Sequence, residues 1–255
     1  DKSIEILCKN YGKIGGFWFD GMWNKPDEDW QEDRIYGTIR KYQPEAMIIN
    51  NTGLSAQGKT GHKEIDSVTF ERGKPCFVDT TEKPIAGEMC QVLNDHWGYA
   101  KEDCNYKSVK ELIDNLIDCR KFGCNFLLNT GLKANGAVNE TDESLLSELG
   151  KWVKINKGFI YNAYPTKVKA KNAIVLTDGK KYYAIIKNVG MSADPNVAIN
   201  GKAMHVSFSK PIKSAVWLDS GEKIQVNDDN SFAVKPFAYG RSYSARVAEV
   251  KLGEV

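Results

Sequence analysis

Apolar positions in the first 160 residues alternate between two textures. In SVKELIDNLIDCRKFG, Val109, Leu112, Ile113, Leu116 and Ile117 recur at i, i+3, i+4, i+7 and i+8, which puts them on one helix face. Ser108 and Glu111 form a capping box, and Gly123 ends the helix. Ser3 caps a shorter helix closing near Gly12. Residues 28–42, with Trp30, Ile35 and Ile39 apolar, predict another, broken by Pro44. Thr141 caps a last one through Leu145, Leu146, Leu149, Trp152 and Val153, closing near Gly158. The second texture is short and continuously apolar. Residues 14–19, 46–50 (AMIIN), 65–70 (IDSVTF) and 124–129 (CNFLLN) read as buried strands. Helices alternating with such strands predict an α/β domain, a parallel sheet covered by helices.

After Tyr164-Pro165 the texture changes. AIVLTDGKKYYAIIKNV reads as a hairpin across Asp178-Gly179. HVSFS, SAVWL, KIQV, SFAVK and YSARVAEVKL follow, separated by turn signals such as Ser220-Gly221 and Asp228-Asp229-Asn230. About seven short strands with little helix predict an all-β sandwich. The expected division is therefore residues 1–162 and 163–255.

The 255 residues, 42% apolar and 27% charged, supply a sizeable core. A net charge of +2 with interspersed signs gives no case for nucleic acid or a membrane surface, and no apolar run reaches spanning length. Six cysteines, none in a CxxC, read as free buried thiols and lean toward a reducing compartment. The chain opens on DKSIEIL, with no signal peptide and no initiator Met, which reads as the middle of a longer chain and leaves the localisation, cytoplasmic or secreted, open.

Four acids sit beside apolar or aromatic residues: Asp20 in GGFWFDGMW, Glu71 in SVTFERG, Glu88 in AGEMCQ and Asp95 in NDHWGYA. Two carboxylates in aromatic surroundings at strand ends are the minimal equipment of a retaining glycosidase. In a parallel barrel such residues belong at the C-terminal strand ends, and Asp20 follows its strand directly. Each residue also has a plainer reading: Asp20-Gly21 as a turn, Glu71-Arg72 as a solvated pair, Trp23 and Trp97 as core or interface residues.

Taken in order, GFWFDGMW, VTFERG, EMCQVLNDHWGYA and YKSVKELIDNLIDCRKFGCNFLLNTGLKANGAV resemble the α-L-fucosidases of glycoside hydrolase family 29, over roughly residues 4 to 160. The resemblance implies the C-terminal half of a (β/α)8-type, TIM-like barrel followed by a β-sandwich domain. It implies a retaining exo-glycosidase that hydrolyses terminal α-L-fucosides without metal or organic cofactor. Asp20 stands at the nucleophile of the family's W-F-D-G motif, and Glu71 at the acid/base, with Glu64 and Glu88 as fallbacks. Trp18 and Trp97 match aromatics that line the sugar pocket.

The chain departs from the family pattern in three places. T-G-L and N-G replace V-G-P and D-G after the LLN strand. Asn50-Asn51-Thr52-Gly53 stands where members often carry an arginine that reaches the sugar or the nucleophile. No paired-histidine motif is present, since the histidines are His62, His96 and His205. A half-barrel is expected to be weakly active or inactive alone, and to self-associate or pair with the missing N-terminal half. Two other readings stand beside this one: a non-catalytic carbohydrate-binding fragment or homologue, and a related retaining glycosidase with another sugar specificity.

Overall fold

A computed structural model describes residues 2–194, 197–199 and 204–253. The predicted apolar runs form β1 (Gly16–Phe19), β2 (Met47–Asn50), β3 (Ser67–Thr69) and β5 (Asn125–Asn129). Between the last two lies β4 (Ala86–Val92), a strand the pattern does not reveal. The five strands pair in parallel and in chain order, β1-β2-β3-β4-β5, so each crossover steps to the next neighbour. The helices are α1 (Lys2–Asn10), α2 (Glu32–Tyr42), α3 (Val109–Lys121) and α4 (Glu140–Asn162).

The chain forms two compact units. One runs to Val92 and includes Phe122–Asn129, hence all five parallel strands with α1 and α2. The other comprises Leu93–Lys121 and the chain from Thr130 onward, hence α3, α4 and the β-rich region.

In the first unit Phe17, Phe19 and Ile48 pack against Cys8, Tyr36 and Ile39 of the helices. Arg40 then ties α2 to the N-terminal ends of the strands. Its guanidinium bonds Glu64 Oε2 (2.8 Å), Asp66 Oδ2 (2.6 Å) and the carbonyls of Ala46 and Glu64 (each 2.8 Å). Asp66 Oδ2 also accepts the Ile48 N–H at 2.8 Å. This half-buried network, in which the guanidinium binds two different carboxylates, commits Glu64 to holding the sheet together. Helix α2 starts four residues later than the pattern predicts. Asp29 Oδ1 accepts the Gln31 N–H (2.9 Å) and Gln31 turns left-handed (φ 53°), which leaves Trp30 outside the helix.

In the second unit α3 follows its predicted face. The Ser108 hydroxyl accepts the Glu111 N–H (3.1 Å), Leu112, Ile113 and Ile117 are buried, and Gly123, where the chain has returned to the first unit, adopts φ 71° just past the helix end. Helix α4 is capped by Asn139, whose side chain accepts the Asp142 N–H, rather than by Thr141. It runs through Gly158 to Asn162.

Among the described residues the β-rich region holds three sheets. The largest orders Lys223–Ile224, Ile212–Trp217, Ala245–Leu252, Tyr182–Lys187, Ile174–Thr177 and Tyr164–Pro165, all antiparallel. A second orders Ser231–Val234, Met204–Phe208 and Ala170–Lys171, and a third Val197–Ile199, Met191–Asp194 and Phe237–Ala238. The predicted hairpin is present, with Ile174–Thr177 paired to Tyr182–Lys187. Val206, Phe208, Trp217, Phe232, Phe237 and Val250 are among the residues of one apolar core shared by the sheets.

Arg246 lies against that core, 4.1 Å over the Trp217 ring and 5.5 Å over Phe237. It binds Asp219 through Nε (3.2 and 3.3 Å) and donates to the Lys235 carbonyl (2.9 Å). Removing one member strands a buried charge, whereas removing both does not. Arg246→Met alone is expected to cost roughly 3–5 kcal/mol. Arg246→Met with Asp219→Leu should recover most of that loss in urea unfolding, and equal losses in single and double variants would refute the pairing.

Candidate active site

The parallel register brings three chain segments to one end of the sheet. The Asn51 N–H donates to the Phe19 carbonyl (2.9 Å), so the ladder continues one bond past β1 and β2. Asp20 emerges at that point, exposed, and the left-handed Gly21 (φ 87°) leads into a 3-10 turn, Met22–Asn24. Phe70 and Arg72 donate to the Glu88 and Cys90 carbonyls (2.8 and 2.9 Å), which carries Glu71 past the end of β3.

Asp20 Oδ1 accepts three bonds: from the Gly21 N–H (2.8 Å), Trp23 Nε1 (2.8 Å) and Asn51 Nδ2 (3.1 Å). No described hydrogen bond falls on Oδ2. Asn51 Nδ2 also donates to Glu71 Oε2 at 2.6 Å. One nitrogen therefore binds both carboxylates, and their bonded oxygens lie at most about 6 Å apart, the two bonds laid end to end. Gly53 allows this packing. Its φ is 74°, and a Cβ there would stand 2.9 Å from Trp23 Cγ, so the glycine lets the loop lie on the ring that donates to Asp20.

Glu88 is buried, with both oxygens committed: Oε1 accepts Trp18 Nε1 (3.1 Å) and Oε2 accepts Asn125 Nδ2 (2.8 Å). It anchors the Trp18 indole, which stays 40% exposed. Of the two fallback glutamates, Glu88 thus holds an aromatic in place, and Glu64 is bound to Arg40 near the strand starts. The Cys90 thiol is buried on β4, two residues from Glu88. Burial first, then the charges of Glu71, Glu88 and Asp20, push its pKa up to about 12.

Trp97 belongs to the second unit, in the loop before α3, and is 38% exposed. Asp103 organises that loop, accepting from the Asp95 and Asn105 N–H groups (2.9 and 2.8 Å) and bonding His96 Nδ1 (2.7 Å). The His96 contact first, then the two backbone bonds, hold its carboxyl below the usual range. Asp95 Oδ2 accepts Asn105 Nδ2 at 2.9 Å. Gly131 packs against the loop so closely that a Cβ would fall 2.4 Å from Gly98 C and Tyr99 N. Among the described residues no group of three or more His, Cys, Asp or Glu side chains could hold a metal ion.

The Alpha-L-fucosidase family profile matches residues 2–158. The chain belongs to the alpha-L-fucosidase family. It is 27% identical over 177 residues to the tissue alpha-L-fucosidase of Bos taurus, covering 66% of this chain and 36% of that protein. The chain thus spans about a third of the length of such curated relatives. Among solved structures, alpha-L-fucosidase isoenzyme 1 from Paenibacillus thiaminolyticus is 25% identical with a TM-score of 0.75. That match covers 99% of this chain and 61% of the bacterial one. A Bacteroides thetaiotaomicron GH29 alpha-L-fucosidase, trapped as a covalent intermediate with 2-fluoro-fucosyl fluoride, is 18% identical with a TM-score of 0.73. There the shares are 99% and 60%.

Against the fucosidase expectation, Asp20, Glu71 and Trp18 all fall within the first unit. Sequence reading gave no bonding role to Asn51 or Trp23, the two side chains that donate to Asp20 Oδ1. The only signal for Asn51 was the Asn-Asn-Thr-Gly run, a departure from the pattern the resemblance leads one to expect. For Trp23 it was a spacing of three from the acid.

Thiolate is the reactive form of cysteine, so a buried thiol with a raised pKa is inert. Cys8, Cys90, Cys119 and Cys124 are buried, Cys76 and Cys104 exposed, and none forms a disulfide. Iodoacetamide at pH 8 should add two labels to the native chain and six in urea. A native label mapped to Cys90 by peptide mass would contradict this environment.

Proposed function

We propose that the chain carries the catalytic pair of a retaining α-L-fucosidase, with Asp20 as nucleophile and Glu71 as acid/base. The observation that carries the proposal is the single Asn51 amide bonded to both carboxylates. Retaining glycosidases hold their carboxyl groups about 5–5.5 Å apart and inverting ones about 6.5–9.5 Å. The bound of about 6 Å between the bonded oxygens favours the first class.

Asp20 Oδ2 attacks the anomeric carbon while the bond to the leaving oxygen breaks. The departing electron pair takes the proton of the Glu71 carboxylic acid. Glu71, now ionised, removes a proton from water, the water oxygen attacks the same carbon, and the Asp20 ester bond breaks to return its carboxylate. Two displacements retain configuration, in keeping with the covalent intermediate trapped in the Bacteroides protein. The exposed Trp18 face, fixed through Glu88, offers the sugar's C–H surface a platform. The substrate is a fucosylated glycan or glycoside. Because the match covers only about a third of the curated relatives, the reading gives this chain two carboxylates and part of a pocket, and expects weak turnover.

Incubation with 2-fluoro-fucosyl fluoride should add one fucosyl mass, mapped to Asp20, in the wild-type chain and none in Asp20→Ala. Glu71→Ala should lower turnover of an aryl α-L-fucoside by roughly 10²–10⁴-fold. Fucose binding without labelling or turnover would instead support a carbohydrate-binding fragment.

We further infer that the five parallel strands are consecutive staves of a (β/α)8-type barrel, residues 1–162, and that residues 163–255 form a β-sandwich. The family match ending at residue 158 and the shared apolar core of the later sheets support this division. β1 and β5 end the sheet with no further strand among the described residues. Such edges are pairing surfaces for a second copy or for the upstream part of a longer chain. Light scattering on the isolated chain is expected to give at least a dimer, and a monodisperse monomer would sink this inference.

A further inference from the structure

Asn51 is 2% exposed, and its side chain has one workable orientation. Its Oδ1 accepts from Thr69 Oγ1 (3.0 Å) and from the Gly53 N–H (3.2 Å). Turned over, the amide would set its oxygen against two carboxylate oxygens and its nitrogen against an N–H. The donor arrangement excludes that state. Nδ2 carries two hydrogens and meets two acceptors, Asp20 Oδ1 and Glu71 Oε2. Of the three donors that pin Asp20 Oδ1, the Gly21 N–H and Trp23 Nε1 come from Asp20's own turn. Asn51 alone reaches across to the next strand's carboxylate.

This geometry has a chemical consequence. A cation between two carboxylates favours the state in which both are ionised, whereas the proposed reaction starts with one of them protonated. A neutral amide can donate to a carboxylate or to the carbonyl oxygen of a carboxylic acid, so it biases the pair toward double ionisation less than a cation would. The three bonds to Oδ1 restrain the Asp20 carboxylate and leave Oδ2 as the oxygen on which no described hydrogen bond falls. We propose that Asn51 is the positioning residue of the pair, a single neutral amide that sets the separation of Asp20 and Glu71 and presents Asp20 Oδ2 for attack. The assignment rests on the retaining fucosidase reading, but the bridge itself can be tested apart from it.

The first measurement is a pair of thermal double-mutant cycles, Asn51→Ala with Asp20→Ala and Asn51→Ala with Glu71→Ala. In each, the shift of the double variant should fall short of the summed single shifts by about 2 °C or more, as for side chains in direct contact. Additive shifts in both cycles would overturn the bridge, whether or not the chain turns anything over. The second is the rate of Asp20 labelling by 2-fluoro-fucosyl fluoride, followed by intact mass. Asn51→Ala should slow labelling on the order of 10–100-fold, more than any change in melting temperature explains. Asn51→Asp, the same shape without a donor, should slow it at least as much, and it replaces Asn51→Ala if that variant does not fold. Wild-type labelling rates in these variants would overturn the positioning role. A wild-type chain that takes no label counts against the fucosidase reading, and the cycles then decide the bridge alone.

Discussion

One backbone bond, from the Asn51 N–H to the Phe19 carbonyl, governs most of what the first unit can do. It carries the β1–β2 ladder one residue beyond the strands, so Asp20 and Asn51 leave the sheet in step. A slip of one residue would turn Asp20 and Asn51 to opposite faces, since strand side chains alternate. The bonds from Phe70 and Arg72 to β4 impose the same discipline on Glu71. The convergence of two acids on one amide is thus a product of register before it is a product of side-chain affinity.

The two ends of the sheet solve opposite electrostatic problems. At the strand starts, Glu64 and Asp66 are neutralised by Arg40, whose fork also satisfies backbone carbonyls, and the result is rigid. At the strand ends Asp20 and Glu71 come together, held by amide, indole and backbone N–H donors, while Glu88, inside β4, is bound by the Trp18 indole and the Asn125 amide. Hydrogen bonds from neutral groups keep like charges in place while leaving their chemistry open. The Cys90 thiol registers the resulting negative field.

Much of this was legible in the sequence, for reasons that differ by element. Helix α3 was readable because its apolar spacing, its cap at Ser108 and its stop at Gly123 all agree. β4 was not, because Glu88 and Gln91 interrupt its apolar run. Their burial depends on partners distant in the chain, Trp18 and Asn125 for Glu88, which no local pattern reports. Asn139 and Thr141 are both credible caps by type, and only backbone geometry chooses between them. Asp20 could be singled out because its aromatic neighbours are adjacent in sequence. Asn51 could be noticed only as a departure, since its meaning lies in atoms 20 and 31 residues away.

Gly131 bears on how this chain can vary over evolutionary time. Its α-carbon lies against the backbone of Gly98 and Tyr99, and backbone cannot swing aside as a side-chain tip can. Every residue type but glycine is therefore shut out of the position, while its neighbours Thr130 and Leu132 meet no such barrier. Drift here is channelled to the flanks by the space the molecule leaves.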